Sequence, residues 1–206
     1  RRPDRSFAGR RILVADDNAV NREVLIEVLR QLGVSVETAI DGREAVAKWR
    51  KTLPALVFMD CSMPEMDGFA ATREIRAHEH LDVARRHTPI VALTAHIAGG
   101  SNDEWRRAGM DAYMTKPFTM KSIIACMETL LAGKPPVPQE VATPHSGDVL
   151  DQAILDDIRK IGGNDVPLRR VLDIFVGKAP KAVETLEVVR GAEDVIALAD
   201  AAHALK

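Results

Sequence analysis

Three aspartates, a threonine and a lysine stand at the ends of short apolar runs. Asp16 and Asp17 follow Ile12-Leu13-Val14-Ala15, and Asp60 follows Ala55-Leu56-Val57-Phe58-Met59. Thr94 closes Ile90-Val91-Ala92-Leu93, and Lys116 comes just after Ala112-Tyr113-Met114. If these runs are neighbouring parallel strands, the five residues meet at one sheet edge. Crowded carboxylates repel one another, so a divalent cation is their natural neutraliser. Oxygen donors suit a hard ion such as Mg²⁺, which keeps some waters and takes a phosphate oxygen. An aspartate beside such an ion can act as a nucleophile and form an acyl phosphate. A lysine and a hydroxyl facing the transferred phosphoryl group stabilise the charge on its oxygens. An aspartate after a strand is more often only a turn or cap residue, and Asp41 and Asp111 are read that way. Recurrence at successive strand ends sets the other residues apart.

Candidate strands and helices alternate along the chain around these residues. Val20, Val24, Val28 and Leu25, Leu29, Leu32 recur with helical spacing after the first strand, and Gly33 ends that helix. Val34 to Ala39 reads as a second strand, and Asp41-Gly42 as a turn before a helix through Trp49. The third run is apolar without alternation, as in a strand buried on both faces. A loop, Cys61 to Gly68, then leads into a helix to about Ala77. Residues 78–88 read as a polar loop. After the fourth strand, Gly99-Gly100-Ser101 precedes a helix near 102–109. After the fifth, a last helix carries Met120, Ile124, Met127 and Leu131 on one face. Five strands alternating with five helices imply a parallel sheet covered on both sides, with ligands outside the carboxyl ends of the strands.

Composition removes other classes. Lys+Arg 28 against Asp+Glu 30 gives a net charge of −2, which argues against a nucleic-acid binder working by bulk charge. No apolar run approaches the ~20 residues needed to span a bilayer. Two cysteines, Cys61 and Cys126, make no disulfide framework, so a reducing, cytoplasmic setting is expected. Residues 1–9 read as a tail; residues 1–11 hold five arginines and one aspartate, a solvated basic stretch. The chain opens on Arg-Arg-Pro-Asp-Arg without Met and is expected to be a piece of a longer protein. Residues 134–149, with four prolines, read as an extended linker. From 150 to 206 the pattern is helical: Leu150, Ile154, Ile158 and Ile161 share a face ended by Gly162-Gly163.

Leu13-Val14-Ala15-Asp16-Asp17-Asn18, Val57 to Gly68, Ala92-Leu93-Thr94-Ala95 and Tyr113 to Phe118 together resemble a two-component receiver domain, spanning about residues 10–133. The resemblance implies a flavodoxin-like (βα)5 α/β fold with strand order 2-1-3-4-5 and Asp60 as phosphoacceptor. It implies Mg²⁺ held by Asp17, Asp60 and the backbone carbonyl of Ser62, with Asp16 acting mainly through water. Thr94 and Lys116 would contact the phosphoryl group, Tyr113 would change rotamer with Thr94, and Lys116-Pro117 would be a cis peptide. The implied partners are a histidine kinase phosphohistidine domain, a histidine phosphotransfer (HPt) domain and a downstream response regulator, with no nucleic acid and no membrane contact by this piece.

Of six histidines, His78, His80 and His87 read as surface residues, His145 as a linker residue and His96 as a loop residue near the site. His203 differs. Leu198, Ala202 and Leu205 make an apolar stripe, His203 lies on the opposite side, and Lys206 is one turn on. With Ala201-Ala202-His203-Ala204-Leu205-Lys206, residues 150–206 resemble the front of an HPt domain, a four-helix bundle whose histidine takes phosphate from a receiver. The chain ends before the bundle's final helix, so this is a partial HPt segment with His203 as its candidate phosphohistidine. The expectation is therefore the receiver and partial HPt region of a hybrid sensor histidine kinase. It carries no Gly-rich nucleotide loop and hence no ATP-binding kinase domain. One alternative is a stand-alone response regulator acting by phosphorylation-driven dimerisation. Another is an Asp-nucleophile, Mg²⁺-dependent phosphatase; the haloacid dehalogenase type wants an Asp two residues after the nucleophile, where Ser62 stands.

Overall fold

The computed structural model describes residues 7–81, 86–94, 104–116 and 118–132. The tail at 1–6, His96, Pro117, the linker and the whole 150–206 segment with His203 lie outside the described residues. Five strands, β1 (Arg11–Ala15), β2 (Ser35–Ala39), β3 (Leu56–Asp60), β4 (Ile90–Thr94) and β5 (Ala112–Thr115), alternate with five helices. These are α1 (Ala19–Gln31), α2 (Gly42–Thr52), α3 (Gly68–Leu81), α4 (Glu104–Ala108) and α5 (Met120–Leu131). All strand pairs are parallel, in the order β2-β1-β3-β4-β5.

The sheet separates two apolar layers, and strand parity decides which side chain enters which. Ile12, Val14, Leu56, Phe58, Val91, Leu93 and Met114 pack with α1 and α5. Leu13, Ala15, Val57, Met59, Ile90 and Ala92 pack with α2 and α3. Side chains are therefore buried on both faces of β1, β3 and β4, which is why those runs are apolar without alternation.

Helix starts are set by local chemistry. The Asn18 side chain accepts the Val20 N–H, and Asp41 accepts the Glu44 N–H, so Asp41 is a cap as expected. The Asp67 carboxylate accepts the Ala70 N–H at 2.6 Å and starts α3. Thr119 and Ser122 form a reciprocal capping box at α5.

Two expectations shift. α3 runs to Leu81, one turn beyond Ala77 and into the stretch read as loop. Its last turn is anchored by Glu79, which accepts from Arg76 Nη1 at 2.6 Å and from the Thr88 N–H at 2.8 Å. Arg76 also bonds the Gly109 carbonyl and Asp111, and Asp111 accepts the Ile90 N–H. Asp111 is thus a structural ion-pair partner far from the carboxyl edge of the sheet. On α5 the buried stripe is Ile123, Cys126, Met127 and Leu130, with Met120, Ile124 and Leu131 flanking it.

Candidate functional site

Strand register brings the predicted residues to one edge. Ala15 pairs with Met59, Asp60 with Leu93 and Thr94 with Thr115, so the residues that follow these pairs emerge side by side. Parity then sorts them. Asp16, Asp60 and Lys116 continue the α1/α5 side of the sheet, whereas Thr94 and Tyr113 continue the other.

The Lys116 ammonium lies 2.8 Å from Asp16 Oδ2 and 2.6 Å from Asp60 Oδ2. Its backbone N–H donates to the Thr94 carbonyl at 2.7 Å, which ties the end of β5 to the end of β4. The other oxygen of Asp16 accepts the Asn18 N–H at 2.8 Å, and that of Asp60 accepts the Ser62 N–H at 3.2 Å. Asp16 is only 1% exposed and Asp60 3%, while Asp17 is half-buried. One oxygen each from Asp16, Asp17 and Asp60 lie within 4.8 Å of one another.

The electrostatics follow from this crowding. Burial pushes the Asp60 carboxyl up to about 6, against the pull of Lys116 and with the repulsion of Asp16. Burial likewise raises Asp16, opposed by Lys116. For Lys116, burial alone would lower the ammonium, but Asp16 and Asp60 outweigh it and the net shift is upward. The Lys116 ammonium thus pairs with two of the three clustered carboxylates. Mg²⁺ holds oxygens at 2.0–2.1 Å, so its ligands stand roughly 3 to 4 Å apart. The carboxylate oxygens lie within 4.8 Å of one another, and the donor set is the hard, anionic one that such an ion prefers.

Tyr113 is half-buried against the α2/α3 layer, its ring centroid 5.3 Å from that of Trp105 on α4. Burial, and then Asp60, push the Cys61 thiol up to about 12, which disfavours its thiolate. The loop after Asp60 is tight. A Cβ at Gly68 would sit 2.1 Å from the Asp60 carbonyl oxygen, so only glycine permits this approach. Sequence reading overlooked Arg22 on α1, whose Nη1 donates to the Asp16 carbonyl at 2.5 Å. Its only sequence signal is its place one turn after the Asp16-Asp17-Asn18 bend.

The sequence matches the response regulator receiver domain family over residues 12–128. Sensor protein GacS of Pseudomonas syringae pv. syringae is 32% identical over 209 residues, 98% of this chain and 23% of the relative. Probable histidine kinase 4 of Oryza sativa subsp. japonica is 36% identical over 140 residues, 60% of this chain and 14% of the relative. The chain thus spans less than a quarter of either relative's length. Among solved structures, the receiver domain of sensor histidine kinase PA1611 from Pseudomonas aeruginosa PAO1, with a magnesium ion coordinated in its active-site cleft, is similar with a TM-score of 0.55. It is 38% identical, and the match covers 61% of this chain and 99% of that one.

Proposed function

Because the chain belongs to the response regulator receiver domain family, and so to the two-component phosphorelay proteins, we propose that Asp60 is its phosphoacceptor. The observation that carries this reading is the buried Asp60 carboxylate, 2.6 Å from the Lys116 ammonium and clustered with Asp16 and Asp17. One Asp60 oxygen attacks the phosphorus of a phosphohistidine on a kinase partner. An O–P bond forms as the N–P bond breaks, and the electron pair returns to the imidazole nitrogen. Lys116 moves its charge onto the phosphoryl oxygens, with the Thr94 hydroxyl as a second donor. Asp17, Asp60 and the Ser62 carbonyl would hold Mg²⁺, with Asp16 supporting it through water. When bound, the ion neutralises the carboxylates and the phosphoryl oxygens. Tyr113 follows Thr94 as the conformational readout.

The receiver domain occupies residues 10–133, residues 1–9 are a tail, 134–149 a linker, and 150–206 the front of an HPt domain in a hybrid sensor kinase. Asp60 then passes its phosphoryl group to an HPt histidine, with His203 as the candidate within this chain and a downstream response regulator as the final acceptor. Likeness to GacS along nearly the whole chain supports this setting. Such a protein works on the cytoplasmic side. Among the described residues no helix is long and apolar enough to cross a membrane.

The test is incubation with acetyl phosphate, with and without Mg²⁺, followed by intact mass. The mass is expected to rise by one phosphate only with Mg²⁺, and not in Asp60→Asn. Equal labelling of that variant overturns the assignment.

A further inference from the structure

The peptide between Asp16 and Asp17 carries both carboxylates of the first bend. Its carbonyl accepts a hydrogen bond from Arg22 Nη1 at 2.5 Å, from one turn along α1. The same bend is braced by the Asn18 N–H on Asp16 Oδ1 and by the Arg22 N–H on the Asn18 carbonyl at 3.0 Å. Arg22 therefore holds the bend from its helix side, and its direction decides where the two carboxylates stand.

A cation beside a cation pocket is electrostatically unfavourable, and this one is partly countered. Glu44 at the start of α2 is held below the usual carboxylate range by a hydrogen bond from Lys48, by the Ile40 N–H and, more weakly, by the charge of Arg22. Glu44 in turn pairs with Lys48 at 2.6 Å and accepts the Ile40 N–H at 2.8 Å. The guanidinium thus holds the Asp16 carbonyl while its charge is also felt by Glu44.

We propose that Arg22 is a positioning residue for the divalent cation, fixing the Asp16–Asp17 bend so that loss of its hydrogen-bond donor weakens cation binding. This rests on the reading of the aspartate cluster as a Mg²⁺ site. Coulomb's law alone gives the opposite sign, because removing a nearby positive charge favours an incoming cation. Groups that orient metal ligands commonly change affinity by about 10–100-fold when removed.

The experiment is a Mg²⁺ titration of the whole chain by calorimetry for wild type, Arg22→Met and Arg22→Lys. Methionine keeps the apolar stem without charge or donor; lysine keeps both. The expected result is binding about tenfold weaker in Arg22→Met and within about threefold of wild type in Arg22→Lys. Equal or tighter binding by Arg22→Met, with wild type binding normally, overturns the role of Arg22 alone. No binding by wild type overturns the metal reading, and this inference with it. Hydrogen exchange of the Mg²⁺-free chain gives a second readout. Faster exchange at the Asn18 amide with unchanged protection of the β1 amides supports positioning, whereas a uniform rise across β1 overturns it.

Discussion

Burial raises the Asp60 carboxyl to about 6 although Lys116 touches it, so the unliganded site holds a proton more tightly than an ordinary carboxyl does. The sign follows by linkage. Between the ordinary 3.8 and about 6, folded Asp60 keeps a proton that the unfolded chain has released. Stability without metal therefore falls as pH rises through that window, and the deficit is complete above it. The same proton competes with a cation. Mg²⁺ affinity is expected to be nearly flat from pH 8 to 7 and to fall by up to about tenfold per unit below about 6, as calorimetry at several pH values would record. Affinity unchanged down to pH 5 would contradict this view of Asp60. At this scale the residues gathered at the sheet edge were legible because each stands at the end of an apolar run. Arg22 was not, since an arginine one turn into a helix looks no different from Arg30 at its exposed end. Its contact is with a backbone carbonyl, which leaves no mark in residue types.

The loop after β3 and the start of α3 set how Asp60 is presented. The Gly68 N–H donates to the Cys61 carbonyl at 3.3 Å, and the Gly68 Cα lies so near the Asp60 carbonyl that no side chain fits. Gly68→Ala is expected to lower stability by about 1–3 kcal/mol, seen as an earlier urea midpoint, and to slow labelling from acetyl phosphate. Unchanged midpoint and labelling would mean that the loop yields without consequence. The strands could be read closely from sequence because β1, β3 and β4 are buried on both faces. The end of α3 could not. His78 to Leu81 carries no apolar repeat, and Glu79 stays helical through bonds to Arg76 and to Thr88, nine residues on. Tertiary partners outweighed local pattern there. The α5 stripe moved by a similar cause: Ile123 and Cys126 meet the sheet, and Met120 and Leu131 sit on its margins.

Across the whole molecule, register and parity gather chemistry from β1, β3 and β5 at one edge, with Thr94 and Tyr113 turned toward the α4 side. Topology follows from alternating strands and helices with right-handed crossovers, and the observed order is the expected one. The region beyond residue 132 lies outside the described residues, so its role rests on pattern and on likeness to GacS. If His203 receives the phosphoryl group, loaded protein should acquire base-stable, acid-labile phosphate over time, and His203→Gln should keep only base-labile label. Base-stable label in that variant would assign the acceptor elsewhere. Phosphate is expected to reside first on Asp60, and reduction of the acyl phosphate reads its position directly. Protein loaded from acetyl phosphate with Mg²⁺ and treated with borodeuteride should yield a deuterated homoserine at position 60 by peptide mass spectrometry. Homoserine at Asp16 or Asp17 instead, or none at position 60 in protein whose intact mass shows an added phosphate, would contradict it.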